Sequence, residues 1–170
     1  MSDMKAKKFI KDALISHEIN DIENALISFY VDSNDIKVKN NEFISEIIKS
    51  QNNHSNLIKQ GFAKIKEKID IYDLVNYFEI LVPKSDKKIN GAFFTPELIT
   101  NFIIREVLKY KNNIADLKVC DPSCGCGAFL IEYAKILKKN FNQKVISTIE
   151  NNLFGVDIAE YSIRRTKILL

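Results

Sequence analysis

The chain has 170 residues and a net charge of +3, and 46% of its residues are hydrophobic, which allows one sizeable core and a smaller helical appendage. No apolar run approaches the length of a membrane span, and no apolar signal-peptide segment follows the first residues, so we expect a cytoplasmic protein without membrane partners. The charge surplus is too small to indicate nucleic-acid binding by itself.

Apolar residues at helical spacing predict that residues 1–89 form an α-helical N-terminal region. The residues expected to cap its helices are Asp21, Asn40 or Asn41, and Asp70. We interpret the apolar stripes as packing surfaces rather than as a ligand site. The polar segment 83–91, which begins with the helix breaker Pro83, is the predicted boundary to a second domain at residues 90–170.

The second domain is predicted to begin with a capped helix. Thr95 is expected to cap it, Pro96 fits the first helical position, and the carboxylate of Glu97 favours the positive end of the helix dipole. Apolar residues continue the helix to about Tyr110. Capping alone needs no ligand, so this start does not by itself indicate a binding site.

The most informative stretch is residues 117–130, which combine a short apolar strand, a turn with two glycines and the first turn of a helix. The strand should end at Asp121 because Pro122 cannot donate to a sheet ladder. Gly125 and Gly127 allow positive φ and a close approach of a ligand to the backbone. Such a unit presents backbone N–H groups and a helix N-terminus to a polar ligand.

A dinucleotide site fits this stretch poorly. Leu130 replaces the third glycine of the G-x-G-x-x-G pattern, and Ser147 stands where an acid is expected. A better acid is Asp157, which ends a second apolar strand within residues 153–158. Because an ionised carboxylate accepts two hydrogen bonds, Asp157 suits the two hydroxyls of a ribose, and we predict a nucleoside ligand.

The segments around the second strand are less distinct. Residues 145–150 fit either a short helix or a strand, and residues 151–152 are predicted to turn the chain into the second strand. A closing helix is predicted for residues 160–170, and we interpret its Arg164 and Arg165 as part of a solvated face.

Three stretches resemble motifs of the DNA adenine-N6 methyltransferases of restriction–modification systems. Residues 121–130, Asp-Pro-Ser-Cys-Gly-Cys-Gly-Ala-Phe-Leu, resemble motif I, whose usual form is D-P-A-C-G-S-G-A-F-L. Residues 155–158 resemble motif II, and residues 91–99 resemble motif X, G-x-(F/Y)-(F/Y)-T-P-x-x-(I/V). The order X, I, II is more specific than any single motif, and the resemblance covers about half of the chain.

The resemblance implies an α/β fold, namely a partial Rossmann-like methyltransferase fold of parallel strands with flanking helices, preceded by the α-helical segment. It also implies S-adenosyl-L-methionine (AdoMet) as the cofactor. The implied cofactor-binding residues are Phe94, Thr95, Pro96, Asp121, Pro122, Ser123, Gly125, Gly127, Phe129, Asp157 and Ile158.

The expected roles differ among these residues. Asp157 would bind the ribose, and Thr95 would lie near the carboxylate of the methionine moiety. Ile158 and Phe129 are the candidates for an apolar wall beside the adenine. For Asp121 two interpretations stay open, a contact to the methionine amino group or a strand-end turn that accepts backbone N–H bonds.

The catalytic motif of the resembled family is absent. That motif, (N/D)-P-P-(Y/F), follows motif II and binds the target amine, whereas Pro83, Pro96 and Pro122 are the only prolines here and no two are adjacent. We therefore interpret the chain as the N-terminal portion of an adenine-specific DNA methyltransferase. Alone it is predicted to be inactive, with no catalytic residue of its own.

Two alternatives remain, a non-catalytic assembly or partner-binding module of such a complex and a methyltransferase that acts on RNA or protein. The expected partners are DNA, through the complete protein, and restriction or specificity subunits. An exposed edge of the partial sheet would also favour self-association.

The cysteines and histidines do not indicate a metal site. Cys120, Cys124 and Cys126 form a C-x3-C-x-C pattern that matches no usual zinc pattern, and reduced thiols are the expected state. His17 and His54 lie far from the motifs, so we predict no catalytic role for them.

Overall fold

The structure, a computed structural model, describes residues 2–39, 41–90, 94–140 and 145–170. The chain divides into two compact units, Met1–Asn90 and Gly91–Leu170. Among the residues that the structure describes, no helix combines the length and apolar character needed to cross a lipid bilayer.

The described part of the first unit is helical, as its apolar spacing predicts. Its helices are α1 (Ser2–Ser16), α2 (Ile19–Ser33), α3 (Glu42–Lys49), α4 (Asn53–Ala63), α5 (Ile71–Ile80) and α6 (Lys84–Asn90).

The core of the first unit is centred on the ring of Phe62, which is 1% exposed. Three aromatic rings meet it edge-to-face, with centroid distances of 6.1 Å to Phe9, 5.1 Å to Phe29 and 5.5 Å to Tyr77. Edge-to-face pairs stabilise a core beyond the area that they bury. Since the four rings come from α1, α2, α4 and α5, this cluster ties those helices together.

Two of the predicted helix caps are confirmed and one is wrong. Asn41 accepts a hydrogen bond from the Ile44 N–H at 3.0 Å, and Asp70 begins α5 with a reciprocal capping box. Asp21 does not cap α2, because the helix begins two residues earlier and Asp21 lies in its first turn. The Glu18 carbonyl accepts the N–H of Asp21 at 3.1 Å, which places the cap at Glu18.

Most of the polar segment predicted as the boundary is helical, and its last residue, Gly91, lies outside the described residues. The Pro83 carbonyl accepts hydrogen bonds from the N–H groups of Asp86 at 3.1 Å and Lys87 at 3.2 Å, so α6 begins directly after Pro83. A proline restricts a helix interior far more than a helix start, and Pro83 precedes this helix instead of interrupting it.

The second unit contains four α-helices, a short 3₁₀ turn and two strands within its described residues. These elements are α7 (Glu97–Leu108), the 3₁₀ turn (Ile114–Asp116), β1 (Val119–Asp121), α8 (Ala128–Asn140), α9 (Val145–Asn152), β2 (Leu153–Gly155) and α10 (Glu160–Leu169).

The two strands pair in parallel, with Val119 opposite Leu153 and Asp121 opposite Gly155. Parallel strands need a crossover, and α8 and α9 supply it. The chain is therefore mostly helical, with a small parallel sheet flanked by helices. A larger Rossmann-like sheet stays a prediction.

Two details of the second unit differ from expectation. Residues 145–150 adopt the helical one of their two alternatives, whereas the predicted turn at residues 151–152 is wrong because both belong to α9 and β2 begins at the next residue. The Asn151 side chain donates to the Ser147 carbonyl at 2.7 Å, one helical turn back. Arg165 is 1% exposed, with its Cζ 4.8 Å from the centroid of the Tyr161 ring, so it does not belong to a solvated face.

Candidate functional site

The glycine loop, residues 122–127, leaves β1 at the predicted position and turns the chain into α8. Gly125 has φ of +53° and Gly127 has φ of +77°, values in the left-handed region that favours glycine. The Gly127 N–H donates to the Cys124 carbonyl at 2.7 Å and closes the turn. Both glycines are thus required by the backbone conformation, as their spacing predicts.

Backbone hydrogen bonds join the loop to the segment after β2. The Val156 N–H donates to the Asp121 carbonyl, and the Cys124 N–H donates to the Val156 carbonyl, both at 2.9 Å. The pairing of β1 and β2 therefore continues past the ends of the strands, and it brings the two predicted motifs side by side.

Asp157 lies in the middle of this arrangement. Its Oδ2 accepts the Gly125 N–H at 2.9 Å, and its Oδ1 accepts the Ala159 N–H at 2.8 Å, just before α10 begins. The carboxylate thus holds both the loop and the start of a helix, a role that the sequence did not indicate. Each oxygen has a second acceptor site, so two further donors can still bind.

Asp121 makes the strand-end turn that was one of its two interpretations. Its Oδ1 accepts the Ser123 N–H at 3.1 Å, two residues ahead. This local bond orders the first residues of the loop, while Pro122 and Ser123 themselves remain exposed.

Thr166 is a residue of the site that sequence reasoning missed. It is buried on α10, and its hydroxyl donates to the Gly125 carbonyl at 2.8 Å. A Cβ built on Gly127 would lie only 3.0 Å from Thr166 Cγ2, so the threonine fills the space beside that glycine. The signal that could have indicated it is the pair of polar residues Ser162 and Thr166, which lie four positions apart on the buried face of a helix, where apolar residues are usual.

The described part of the motif X segment lies beside the loop. A Cβ built on Gly125 would lie 3.7 Å from Phe94 Cε1, an ordinary contact distance, so the half-buried Phe94 ring neighbours the loop backbone. Gly91, Ala92 and Phe93, the first residues of this motif, lie outside the described residues.

The expected cap at Thr95 is wrong. Helix α7 begins at Glu97, and its N-cap is Pro96, which makes no side-chain cap bond. The Pro96 carbonyl accepts the first helical bonds, from Ile99 N–H at 2.9 Å and Thr100 N–H at 3.1 Å. Thr95 therefore lies one residue before the N-cap position, and its half-buried side chain does not cap α7.

A polar contact fixes α7 against α8. The Asn101 amide donates to the carboxylate of Glu132, which is only 4% exposed. Asn101 Oδ1 in turn accepts from Arg105 Nε at 2.7 Å. Buried carboxylates are costly without such partners, so this contact holds the helix that follows Phe94 at a defined place beside the glycine-loop helix.

A cavity of about 460 Å³ lies among α7, β1 and α8. Its lining includes Asp121, Pro122 and Phe129, together with consecutive residues of β1. Ile158 does not line it and is 87% exposed. Phe129 and Ile158, both expected beside an adenine, are therefore not brought together into one wall around this cavity.

The three cysteines form no disulfide and lie in different surroundings. Cys120 is exposed, whereas Cys124 and Cys126 are buried. Burial raises the pKa of Cys124, the Thr166 hydroxyl opposes that rise, and the charges of Asp157 and Asp121 add to it. Within the described part of the chain, no three His, Cys, Asp or Glu side chains come together in a group that could hold a metal ion.

Comparison with known proteins places the motifs in a family. The family model described as N-6 DNA Methylase matches residues 69–169, which is more than half of the chain. A curated relative, the Type II methyltransferase M.VspI of Vibrio sp. (strain 343), is 29% identical over 126 residues, or 74% of this chain. The chain spans only 28% of the length of that relative. No solved structure matches the chain significantly.

Proposed function

Because the chain belongs to the N-6 DNA methylase family, we propose that its glycine loop and Asp157 form the AdoMet site of a DNA methyltransferase that acts on the N6 amine of adenine. The observation that carries the proposal is the 2.9 Å hydrogen bond from the Gly125 N–H to Asp157 Oδ2. That bond joins the loop and the acid of the second strand into one polar site at the carboxyl ends of two parallel strands. Ligands of open α/β sheets bind at such strand ends.

The residues present fit the ribose of this cofactor. Each Asp157 oxygen accepts one backbone N–H and retains a site for a second donor, so the carboxylate can accept the two ribose hydroxyls without releasing the loop. Ile158, exposed next to Asp157, offers an apolar surface to the adenine. Phe129 lines the separate cavity along β1 and is the weaker candidate for that role.

The methionine end fits beside the glycine loop. Gly125 and Gly127 leave the loop without side chains that would block a ligand, and Phe94 borders it from the α7 side. Thr95 has a hydroxyl that can donate to the carboxylate of the methionine moiety, because it does not cap α7. When bound, the cofactor supplies an electrophilic methyl group on a sulfonium sulfur.

The residues of the proposed cofactor site do not account for binding of the target base. Transfer to an exocyclic amine requires acceptors for its protons and a stacking partner for the flipped base, and no (N/D)-P-P-(Y/F) sequence occurs among these 170 residues. We expect the chain to bind cofactor without transferring its methyl group. The description of the family model, N-6 DNA Methylase, supports DNA as the substrate, and the Type II designation of the relative fits the restriction–modification system that the motifs suggest.

Calorimetric titration with AdoMet tests the proposal on the whole chain. Wild type should bind, and Asp157→Ala should bind about 10- to 100-fold more weakly, because hydrogen bonds to a charged group contribute about 1.5–3 kcal/mol. Glu160→Gln, which changes an exposed carboxylate on the same unit, is the matched control and should bind like wild type. A folded wild-type chain that shows no binding of AdoMet would contradict the proposal.

A further inference from the structure

The peptide backbone at Gly125 is held from both sides. Asp157 accepts its N–H at 2.9 Å, and the Thr166 hydroxyl donates to its carbonyl at 2.8 Å. The two partners approach from different elements, since Asp157 follows β2 and Thr166 lies on α10. Both groups of a left-handed glycine are therefore fixed by side chains distant in sequence.

Thr166 contacts the loop through its hydroxyl, which also lies 3.9 Å from Cys124 Sγ, and through its methyl group. Its hydroxyl bonds to Gly125, and its methyl group occupies the space next to Gly127, where an added Cβ would lie 3.0 Å from Cγ2. The residue is 6% exposed, so solvent has little access to replace the hydroxyl as a donor. Losing such a buried donor leaves an acceptor unsatisfied.

The hydroxyl also sets the orientation of the next peptide group. In a trans peptide the carbonyl and the following N–H point in opposite directions, and the described chain contains no cis peptide bonds. A fixed Gly125 carbonyl therefore fixes the plane that contains the Cys126 N–H. Rotation of this peptide would change the surface that the loop presents to a ligand.

We infer that Thr166 is a positioning residue of the cofactor site: its hydroxyl, through the Gly125 carbonyl, holds the glycine loop in the conformation that binds AdoMet. The inference rests on the proposed function. Thr166 touches the loop and needs no contact with the cofactor, and neither motif I nor motif II contains it.

Two substitutions separate the hydroxyl from the methyl group. Thr166→Val keeps the shape beside Gly127 and removes the donor, whereas Thr166→Ser keeps the donor and removes the methyl group. Thr148→Val is the control for a threonine that is equally buried, at 6%, on another helix of the same unit. AdoMet affinity is measured by calorimetry on the whole chain, and the melting temperature of each free variant is measured beside it.

We expect Thr166→Val to bind AdoMet about tenfold more weakly, the effect of one lost hydrogen bond. The AdoMet affinity of Thr166→Ser should stay within about twofold of wild type. Both variants should have a lower melting temperature, because the valine variant loses a hydrogen bond and the serine variant loses a buried methyl group. In ¹⁵N-labelled free protein, the amide signals of Gly125 and Cys126 should move in the valine variant and stay nearly in place in the serine variant.

The outcomes separate the two proposals. If the valine variant binds AdoMet as tightly as wild type, the positioning role alone is overturned. Equal losses of AdoMet affinity in the valine and serine variants would also overturn it, since packing would then explain both losses. A folded wild type that does not bind AdoMet would overturn the proposed function and this inference with it.

Discussion

In the first unit the centre is a group of enclosed aromatic rings, whereas in the second unit the centre is a backbone loop held by polar side chains. Phe62 is surrounded edge-to-face by Phe9, Phe29 and Tyr77, and these contacts need no hydrogen bond at Phe62. Gly125, in contrast, is fixed by one carboxylate and one hydroxyl. The first arrangement stabilises a fold, and the second also places backbone groups where a ligand can reach them.

The units differ as well in the apolar surface that they leave uncovered. The second unit has exposed apolar side chains on α7 and around the end of β2, namely Leu98, Ile99, Phe102, Ile103, Val107, Phe154, Val156 and Ile158. A group of exposed apolar side chains on one helix is typical of a surface that contacts a ligand or a partner. The difference is one of degree, since the first unit also exposes apolar side chains, among them Met4, Ile15 and Leu57, while the second exposes five on α7 alone.

The comparison predicts the largest loss of stability at the aromatic centre. Phe62→Ala should lower the free energy of unfolding by about 3–5 kcal/mol, since it removes a fully buried ring and leaves a cavity. Hydrogen exchange read peptide by peptide should show the loss of protection in residues 1–90 and little change in residues 91–170. Phe43→Ala, at a partly exposed ring of the same unit, is the control, and an equal effect at both positions would contradict this view of the core.

The second unit should be most sensitive at Gly127. Gly127→Ala forces a side chain into the left-handed region at φ of +77° and against Thr166, so we expect a loss of about 3 kcal/mol in unfolding free energy. Gly125→Ala meets only an ordinary contact with Phe94 and should cost about 1–2 kcal/mol. Urea denaturation compares the two variants, and a larger loss at Gly125 would contradict the steric role of Thr166.

A smaller effect, confined to alkaline solution, is expected at Tyr77. Burial raises the pKa of Tyr77 far above its usual value of 10.0, and the charges of Asp73 and Asp3 add to the shift. Because the unfolded state then loses the phenolic proton first, this group stabilises the fold below about pH 10 and less so as the pH rises further. The free energy of unfolding should thus fall more steeply above pH 10 in wild type than in Tyr77→Phe.

The control for this titration is Tyr110→Phe, because Tyr110 is exposed. At neutral pH, Tyr77→Phe also removes the 3.2 Å hydrogen bond to Asp3 and should cost about 1 kcal/mol. If the free energy of unfolding falls equally steeply above pH 10 in wild type and in Tyr77→Phe, the Tyr77 phenol does not contribute to the pH dependence of stability.

The weakest predicted effect is self-association of the second unit. In the described residues β1 pairs only with β2, and apolar residues of α7 border the cavity along β1. We expect a small, concentration-dependent rise in sedimentation coefficient, which Val107→Glu should abolish by placing a charge at this surface. Glu106→Gln, on the same helix, is the control, and a wild-type chain that stays monomeric at high concentration would contradict the prediction.

Local chemistry made parts of the fold predictable. Pro122 ends β1, Asp70 starts α5, and Asp121 orders the turn after its strand, and each of these effects acts within three residues. The motif order likewise predicted the family before any comparison. Sequence spacing was less reliable for helix ends, as the misplaced caps at Asp21 and Thr95 show. Adjacent residues can each supply the first carbonyl that accepts a helical hydrogen bond, so the first residue of a helix is hard to predict.

The bonds that shape the site could not be predicted in this way. Asp157 reaches Gly125 across 32 positions, and Thr166 reaches it across 41. Which buried threonine meets which carbonyl depends on how α10 packs, and motifs and local spacing do not reveal that packing. Asp157 was singled out for a ligand, yet its role in holding the loop became evident only from the structure.

The most direct test of the account follows the backbone amides of the ¹⁵N-labelled chain during titration with AdoMet. We predict that signals of Phe94, Gly125, Gly127 and Asp157 move as the cofactor binds, while signals of the aromatic core around Phe62 stay in place. Unchanged signals throughout a folded chain, or changes confined to residues 1–90, would contradict the assignment of the cofactor site to the glycine loop.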